Sequence, residues 1–297
     1  VQPSKTLVII NPVSGTNSKR DFPALLKKYI NPDKHDISVQ FTKHAGHATD
    51  LTKDAIEQSY DNVIAVGGDG TINEIARILV NTSVCLGIIP SGSGNGLARH
   101  FEIPLKTIEA IKALNNCNVE IADSGSLNGH PFFCTAGIGF DAHIGQKFSE
   151  ADTRGLSTYV KTTLKEFIKY QPEIYQISTP KEQIKEQAFL ITFANTNQYG
   201  NNAFIAPKAN TQDGLLDVCI LKPFPFYKVP QIGIKLFGGS IHQSKYMKTF
   251  QSDVIEITRF QAAAAHVDGE PIELGQNLEV KCIPSSLKIL VPTERRK

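Results

Sequence analysis

The chain has 297 residues, 41% of them hydrophobic and 20% charged, so it can bury a sizeable core and is not disordered. Its 31 basic and 29 acidic residues leave a net charge of +2, which gives no electrostatic case for a nucleic-acid partner. At about one domain per ~150 residues, the length suggests two domains.

Strand and helix patterns alternate from the start. Thr6-Leu7-Val8-Ile9-Ile10 reads as a short buried strand that ends in Asn11-Pro12-Val13-Ser14-Gly15. Phe22 to Ile30 reads as a helix, Ile37 to Phe41 alternates like a strand, and Asp50 to Ser59 is helical. Val63-Ile64-Ala65-Val66 then runs into Gly67-Gly68-Asp69-Gly70, and a helical pattern follows through Ile72, Ile75, Ala76 and Leu79. Strand, tight turn and helix N-terminus in that order is the local geometry in which backbone N–H groups converge on a phosphate. A plain β-turn with an aspartate at a cap position fits the same residues. Asp69 would not contact phosphate directly, since like charges repel; it suits a divalent cation or an attacking hydroxyl. Cys85 to Ile89 is a further strand, followed by the glycine loop Pro90 to Gly96 and helical segments from Leu97 and from Leu105 to Leu114.

Repeated β-α units predict a parallel sheet covered on both faces, with ligands at the carboxyl ends of its strands. The loops at those ends combine glycine with small hydroxyl or amide side chains, the chemistry of a polyphosphate cradle. Neither a P-loop Gly-Lys-Ser/Thr nor a Gly-x-Gly-x-x-Gly after the first strand is present. His44 and His47 read as a loop and a helix start rather than a metal pair, with no third ligand at suitable spacing.

After Asp123 the rhythm changes. Asn128-Gly129 signals a hairpin, Thr158 to Lys169 a helix opened by Arg154 and Tyr159, and strands are predicted at Glu173–Ser178, Ala188–Ala194, Leu216–Leu221, Val254–Thr258, Asn277–Ile283 and Leu287–Val291. A β sandwich is the expected form of this half. Asp268-Gly269-Glu270 fits a hairpin turn, or a pair of catalytic carboxylates. Leu221 to Phe237, rich in aromatics, fits ordinary core plus one helix, or an acyl-chain wall or membrane-facing patch. The expected boundary divides the chain into 1–122 and 123–297, with the last residues able to pack back on the first domain. No apolar run approaches the ~20 residues of a membrane span and no leader pattern opens the chain, so the expected compartment is the cytoplasm. Five scattered cysteines without Cys-x-x-Cys spacing agree with reduced thiols there. Arg295-Arg296-Lys297 reads as a solvated tail, or as a weak contact for anionic lipid.

Taken together, Asn-Pro-x-Ser-Gly at 11–15, Thr42 with Gly46-His47-Ala48, Val-Gly-Gly-Asp-Gly-Thr-Ile-Asn-Glu at 66–74, Pro-x-Gly-Ser-Gly-Asn at 90–95 and Asp268-Gly269-Glu270 resemble the diacylglycerol kinase catalytic-domain family. That group includes sphingosine kinases, ceramide kinases and soluble bacterial lipid kinases, and the likeness runs from about Thr6 to Pro292. It implies an α/β nucleotide-binding domain of phosphofructokinase and NAD-kinase type, followed by a mostly-β sandwich. It implies ATP as substrate, held by Asn11, Ser14, Gly15, Thr42, the segment Gly67, Gly68, Asp69, Gly70, Thr71 to Asn73, and Ser93, Gly94 and Asn95. Asp69 would act near the transferred phosphate through Mg²⁺, and Glu270 would be the general base with Asp268 beside it; in sphingosine kinases the base role is often given to the position of Asp69. A structural Mg²⁺ is implied at Asp213, with the carbonyls of Asn210 and Leu215. The acceptor would be a lipid alcohol at the inner face of a membrane, and a homodimer is compatible with the resemblance.

Two positions depart from the pattern. Asn95 is followed by Gly96 where bacterial diacylglycerol kinases often carry aspartate, and Gly145 falls near the acidic position by which sphingosine kinases hold their amino alcohol. The acceptor thus stays open between diacylglycerol and a sphingoid base. A soluble-substrate kinase resembling NAD kinases, and a non-catalytic nucleotide or lipid sensor, are the competing readings.

Overall fold

The structure, a computed structural model, describes residues 2–15, 19, 21–149, 163 and 165–294, with the side chains of 148 and 149 left aside. The chain forms two compact units, Val1–Ser124 with Pro284–Lys297, and Gly125–Ile283. It leaves the first unit along one strand and returns along another.

The first unit alternates β1 (Ser4–Ile10), α1 (Phe22–Tyr29), β2 (His35–Phe41), α2 (His47–Glu57), β3 (Asn62–Gly67), α3 (Asp69–Leu79), β4 (Cys85–Pro90), α4 (Gly96–His100) and α5 (Thr107–Ala113). Every residue of β3 and β4 is buried, which is why they read as unbroken apolar runs rather than alternating ones. The strands pair in parallel in the order β2-β1-β3-β4, and the last strand of the chain, β16 (Asn277–Pro292), adds beside β4 with Ile289 opposite Leu86. Val8, Ile10, Ile64, Val66 and Ile89 pack with Phe22 and Leu26 of α1 and Ile111 of α5 on one face of this sheet. The helices thus bury the stripes that their 3.6-residue periodicity marks.

The second unit begins within β5 (Cys117–Leu127), which turns at Asn128 (φ 47°) and Gly129 (φ 82°) into β6 (His130–Phe132). β7 (Thr135–Gly139) and α6 (Phe140–Ser149) follow, then β8 (Glu173–Ser178), β9 (Gln183–Ala188), β10 (Leu190–Ala194), β11 (Leu216–Leu221), α7 (Val229–Phe237), β12 (Met247–Ser252), β13 (Val254–Thr258), β14 (Ala263–Val267) and β15 (Glu270–Leu274). Six strands pair antiparallel in the order β12-β11-β10-β7-β14-β15, while β16 pairs β13, β13 pairs β8 and β8 pairs β9. Ala136, Ile138, Ile191, Phe193, Val218 and Ile220 of the six-stranded sheet meet Tyr175, Ile177, Ile255, Ile257 and Val280 of the other in one buried cluster, the inner layer of a sandwich.

The two strands predicted at Asn277–Ile283 and Leu287–Val291 are one, β16. Ser285, at φ 52°, gives the local turn that the break in the apolar pattern marked, and its N–H donates to Asp123 Oδ1 at 2.7 Å. β7, α6, β9, β12, β14 and β15 were not anticipated. β7 escapes a reading by propensity because two of its five residues, in Thr-Ala-Gly-Ile-Gly, are glycine. A Cβ on Gly137 would stand 2.5 Å from both Asp141 Oδ2 and His266 Nε2, so that strand needs a glycine where propensity asks for a side chain.

Candidate active site

In the first unit β2 lies on one side of β1 and β3 on the other, so the direction of winding reverses between β1 and β3. Open α/β sheets bind ligands in the crevice at such a point, outside the carboxyl ends of the strands. The residues there are Asn11 to Gly15 after β1 and Gly67 to Gly70 after β3, with the loop after β4 alongside. The loops are bound to one another by short polar contacts. Asn11 N–H donates to Val66 O at 3.0 Å, and its side-chain Nδ2 donates to Thr71 Oγ1 at 2.9 Å. Asn11 Oδ1 accepts Val13 N–H at 3.1 Å, and Asn11 O accepts Ser14 Oγ–H at 2.9 Å. Thr42 N–H donates to Ile10 O at 2.9 Å and Ser91 N–H to Gly67 O at 2.7 Å.

The glycines are required by contact. A Cβ on Gly92 would lie 2.7 Å from the Cα of Gly68, and one on Gly15 (φ 68°) would lie 2.3 Å from Ser91 O. Three loops therefore approach backbone against backbone, with no room for side chains where they meet.

Asp69 has a definite place in this assembly. Its Oδ2 accepts Asn95 N–H and its Oδ1 accepts Gly96 N–H, each at 2.8 Å, and Asn95 takes the left-handed conformation (φ 52°) that aims both donors at it. Asn95 is buried, with its own amide exchanging bonds with Gly92: Gly92 N–H to Oδ1 at 3.0 Å and Nδ2 to Gly92 O at 2.8 Å. The carboxylate thus clamps the third glycine loop, and each oxygen keeps lone-pair capacity for a further donor or a cation-bound water. Thr71 and Asn73 are buried near the start of α3, and Ser93 is exposed in the loop after β4.

Two residues that the sequence reading left unassigned join these loops. Lys19 is buried, with Nζ 2.5 Å from Ser91 Oγ, and burial pushes its ammonium pKa below the ordinary lysine value. A lysine four residues past Asn-Pro-x-Ser-Gly was the available signal, overlooked because it lies outside P-loop spacing. Glu74, the last residue of the 66–74 motif, accepts Gly46 N–H at 3.2 Å and so ties the Thr42 loop to α3.

In the second unit Asp268 and Gly269, at φ 48° and 84°, form a two-residue turn with Val267 opposite Glu270. The Asp268 carboxylate accepts three backbone N–H groups, from Phe133 at 2.9 Å, Cys134 at 2.7 Å and Thr135 at 3.1 Å. It acts there as an anchor for the turn, which places Glu270, exposed, as the first residue of β15. Asp268→Ala should strip the acceptor from all three donors. Charge-assisted bonds contribute ~1.5–3 kcal/mol each, so the loss of three is expected to cost about 4.5–9 kcal/mol. Differential scanning calorimetry should show Tm lowered by roughly 9 °C or more.

Behind this turn lies a polar group that the sequence did not disclose. His266 Nε2 is 3.2 Å from Asp141 Oδ2, which also receives Thr192 Oγ1–H and Tyr199 O–H, both at 3.4 Å. Asp141 thus has its charge engaged on α6, and Gly145, one turn on, adds no acidic group.

The Asp213 loop supplies oxygen only. Asp213 Oδ1 accepts Leu215 N–H at 3.0 Å, and its Oδ2 shares Gln251 Nε2 with Asp217, at 3.3 and 3.4 Å. Burial raises the Asp217 carboxyl pKa and neighbouring Asp213 adds to it. Two carboxylates competing for one amide, with backbone carbonyls at Asn210 and Leu215 nearby in sequence, form a donor set that suits a hard divalent cation. Among the described residues no group of three or more His, Cys, Asp and Glu is placed to hold a metal. Arg154 and Tyr159, and the tail Arg295-Arg296-Lys297, lie outside the described residues.

Residues 5–127 match the diacylglycerol kinase catalytic domain, and residues 134–291 match the YegS C-terminal NAD kinase beta sandwich-like domain. A Pseudomonas aeruginosa protein named "Probable lipid kinase YegS-like" is 30% identical over 261 residues, covering 86% of this chain and 85% of its own. The chain belongs to the YegS-like, diacylglycerol kinase-like family of lipid kinases. Other members include a Pectobacterium atrosepticum protein of the same name, 28% identical over 97% of this chain and 96% of its own. The fold is that of a diacylglycerol kinase crystal structure from Bacillus anthracis, with TM-score 0.75 over 100% of both chains at 20% identity. For this lipid kinase the N-terminal α/β domain and the antiparallel sandwich are thus those that the resemblance implied, and no helix among the described residues is long and apolar enough to cross a membrane.

Proposed function

We propose that this lipid kinase transfers the γ-phosphoryl group of ATP, with Mg²⁺, to the hydroxyl of diacylglycerol or a related lipid alcohol at the cytoplasmic face of a membrane. The observation that carries the reading is the crevice at the β1/β3 switch point, where three glycine loops meet and Asp69 fixes the third. Backbone N–H groups of 67–70, 93 and 94, with Asn11, Ser14, Gly15 and Thr42, would hold the phosphates, and Lys19 would offset part of their charge. Phosphoryl transfer depends on such positioning and neutralisation more than on covalent chemistry. Glu270 would accept the proton of the lipid hydroxyl as its oxygen bonds to phosphorus and the β–γ bridge oxygen leaves with ADP, and Asp268 would keep the Glu270 turn in place. Mg²⁺, when bound to the substrate phosphates and at Asp213 with the carbonyls of Asn210 and Leu215, would supply charge neutralisation in the first case and loop order in the second.

The test is incubation with γ-labelled ATP and mixed micelles of diacylglycerol, a sphingoid base or a total lipid extract, beside a parallel reaction with NAD. Label is expected in the organic phase from diacylglycerol or the extract, and chelation of divalent cations should abolish it. Label on NAD alone would establish a soluble-substrate kinase, and ATP binding without transfer to any acceptor would establish a sensor.

A further inference from the structure

The stretch from Lys222 to Lys248 contains five lysines, one histidine and no acidic residue. In it, a 3-10 turn at Phe226–Lys228 runs directly into α7, and α7 buries none of its residues although it reads Val-Pro-Gln-Ile-Gly-Ile-Lys-Leu-Phe. Ile232 and Leu236, four apart, rest against the hydrophobic cluster that includes Phe140, Phe189 and Leu221. By helical spacing Ile234 and Phe237 fall on the opposite face, where they are 75% and 59% exposed. Phe226 and Tyr227 continue that surface at 50% and 75% exposure. Four large apolar side chains in water within twelve consecutive residues are more than a folded surface ordinarily leaves.

The patch is held firmly from behind. Phe226 meets Phe167 edge-on at 5.6 Å between ring centroids, and Phe167 packs at a tilt against Phe189 at 4.9 Å and Phe224 at 5.3 Å. Among the cations, Lys222 pairs with Glu186 at 3.0 Å, while Lys228 lies over the Tyr227 ring at 5.6 Å and Lys235 lies in the last turn of α7. Aromatic and aliphatic tips flanked by lysine, without a carboxylate in the stretch, complement a surface that is apolar beneath and negative at its rim.

We propose that Phe226, Tyr227, Ile234 and Phe237, with Lys228 and Lys235, form the face by which this lipid kinase docks on an anionic bilayer. The inference rests on the reading that the acceptor is a membrane lipid, and it adds which surface meets the membrane and which lipid charge it prefers. The apolar tips enter the headgroup boundary while the lysines stay at phosphate level, with their stems along the apolar surface.

The experiment is flotation of the full chain with vesicles of phosphatidylcholine alone or mixed with phosphatidylglycerol, at low and high salt. The wild type should bind the mixed vesicles, and bind them less at high salt. Phe226→Ser/Tyr227→Ser/Ile234→Ser/Phe237→Ser should lower that binding roughly tenfold or more. Lys228→Glu/Lys235→Glu leaves the apolar residues in place, and should also lower it roughly tenfold or more. Both variants should keep the wild-type rate on diacylglycerol in detergent micelles and lose it on vesicle-borne substrate. Equal binding by wild type and variants, or equal binding to neutral and anionic vesicles, would overturn the proposal while leaving the kinase reading intact. Self-association abolished by the serine substitutions, without vesicle binding by the wild type, would overturn it in favour of a second copy as the occupant. Vesicle binding that follows the pattern above with no transfer to any lipid would support the docking face and reject the proposed reaction.

Discussion

Asp69→Ala should abolish phosphoryl transfer in a protein that still folds. The carboxylate accepts the N–H groups of Asn95 and Gly96, each at 2.8 Å, where the loop after β4 enters α4. Charge-assisted bonds of this kind contribute ~1.5–3 kcal/mol each, so their joint loss removes about 3–6 kcal/mol from the arrangement of that loop. The sheet behind it, with β3 and β4 buried along their whole length, does not depend on the carboxylate. The expected result is turnover reduced by ~10²-fold or more, because catalytic positioning tolerates only sub-ångström displacement. ATP affinity measured by calorimetry should fall with it. Asp69→Asn separates two contributions. It retains one acceptor oxygen, so ATP binding should survive in part; if binding is normal and turnover absent, the negative charge itself is what transfer needs. A fully active Asp69→Ala enzyme would reduce the residue to an ordinary turn aspartate.

Glu270→Gln is the second large expected effect, and it should look different. Glu270 begins β15 with its side chain exposed, and the two-residue turn before it is held by Asp268 through three backbone N–H groups. Glutamine preserves size and hydrogen bonding but cannot take a proton. General-base assistance contributes ~10²–10⁴-fold, so kcat should drop by that order while the KM for ATP stays near the wild-type value. A steady-state comparison at saturating lipid reads this directly, and unchanged kcat would remove Glu270 from the reaction. Opposite signatures are thus expected at the two carboxylates: Asp69→Ala weakens nucleotide binding and turnover together, whereas Glu270→Gln affects turnover alone.

The first unit was legible because its chemistry is local. Parallel strands buried on both faces give unbroken β-branched runs, and helix stripes give a 3.6-residue period, so Val63–Val66 and Ile72–Leu79 could be read from residue type alone. The clamp formed by Asp69 was not legible, since it depends on Asn95 taking a left-handed conformation 26 residues away. Lys19 was missed for a similar reason: what distinguishes it is burial against Ser91, 72 residues on, and sequence spacing carries no record of that. In the sandwich the strands with alternating β-branched and aromatic residues were found, while β7, rich in glycine, and β9, with polar residues at four of its six positions, were not. Asp268 shows the same limit from another side. Its neighbours in sequence suggested a catalytic pair, and they carry no record of the three backbone N–H groups at 133–135 that its carboxylate accepts.

The pairing of β16 with β4 has a practical corollary for anyone dissecting the protein. A fragment ending near residue 124 would keep every glycine loop yet lack the C-terminal strand that covers one border of the parallel sheet, since residues 284–297 belong to the first compact unit. The bared border would be β4, six residues long and wholly apolar, the kind of unprotected margin through which fragments polymerise. The half that carries the glycine loops is therefore best studied within the intact chain, or in a circular permutant that carries the C-terminal strand with it.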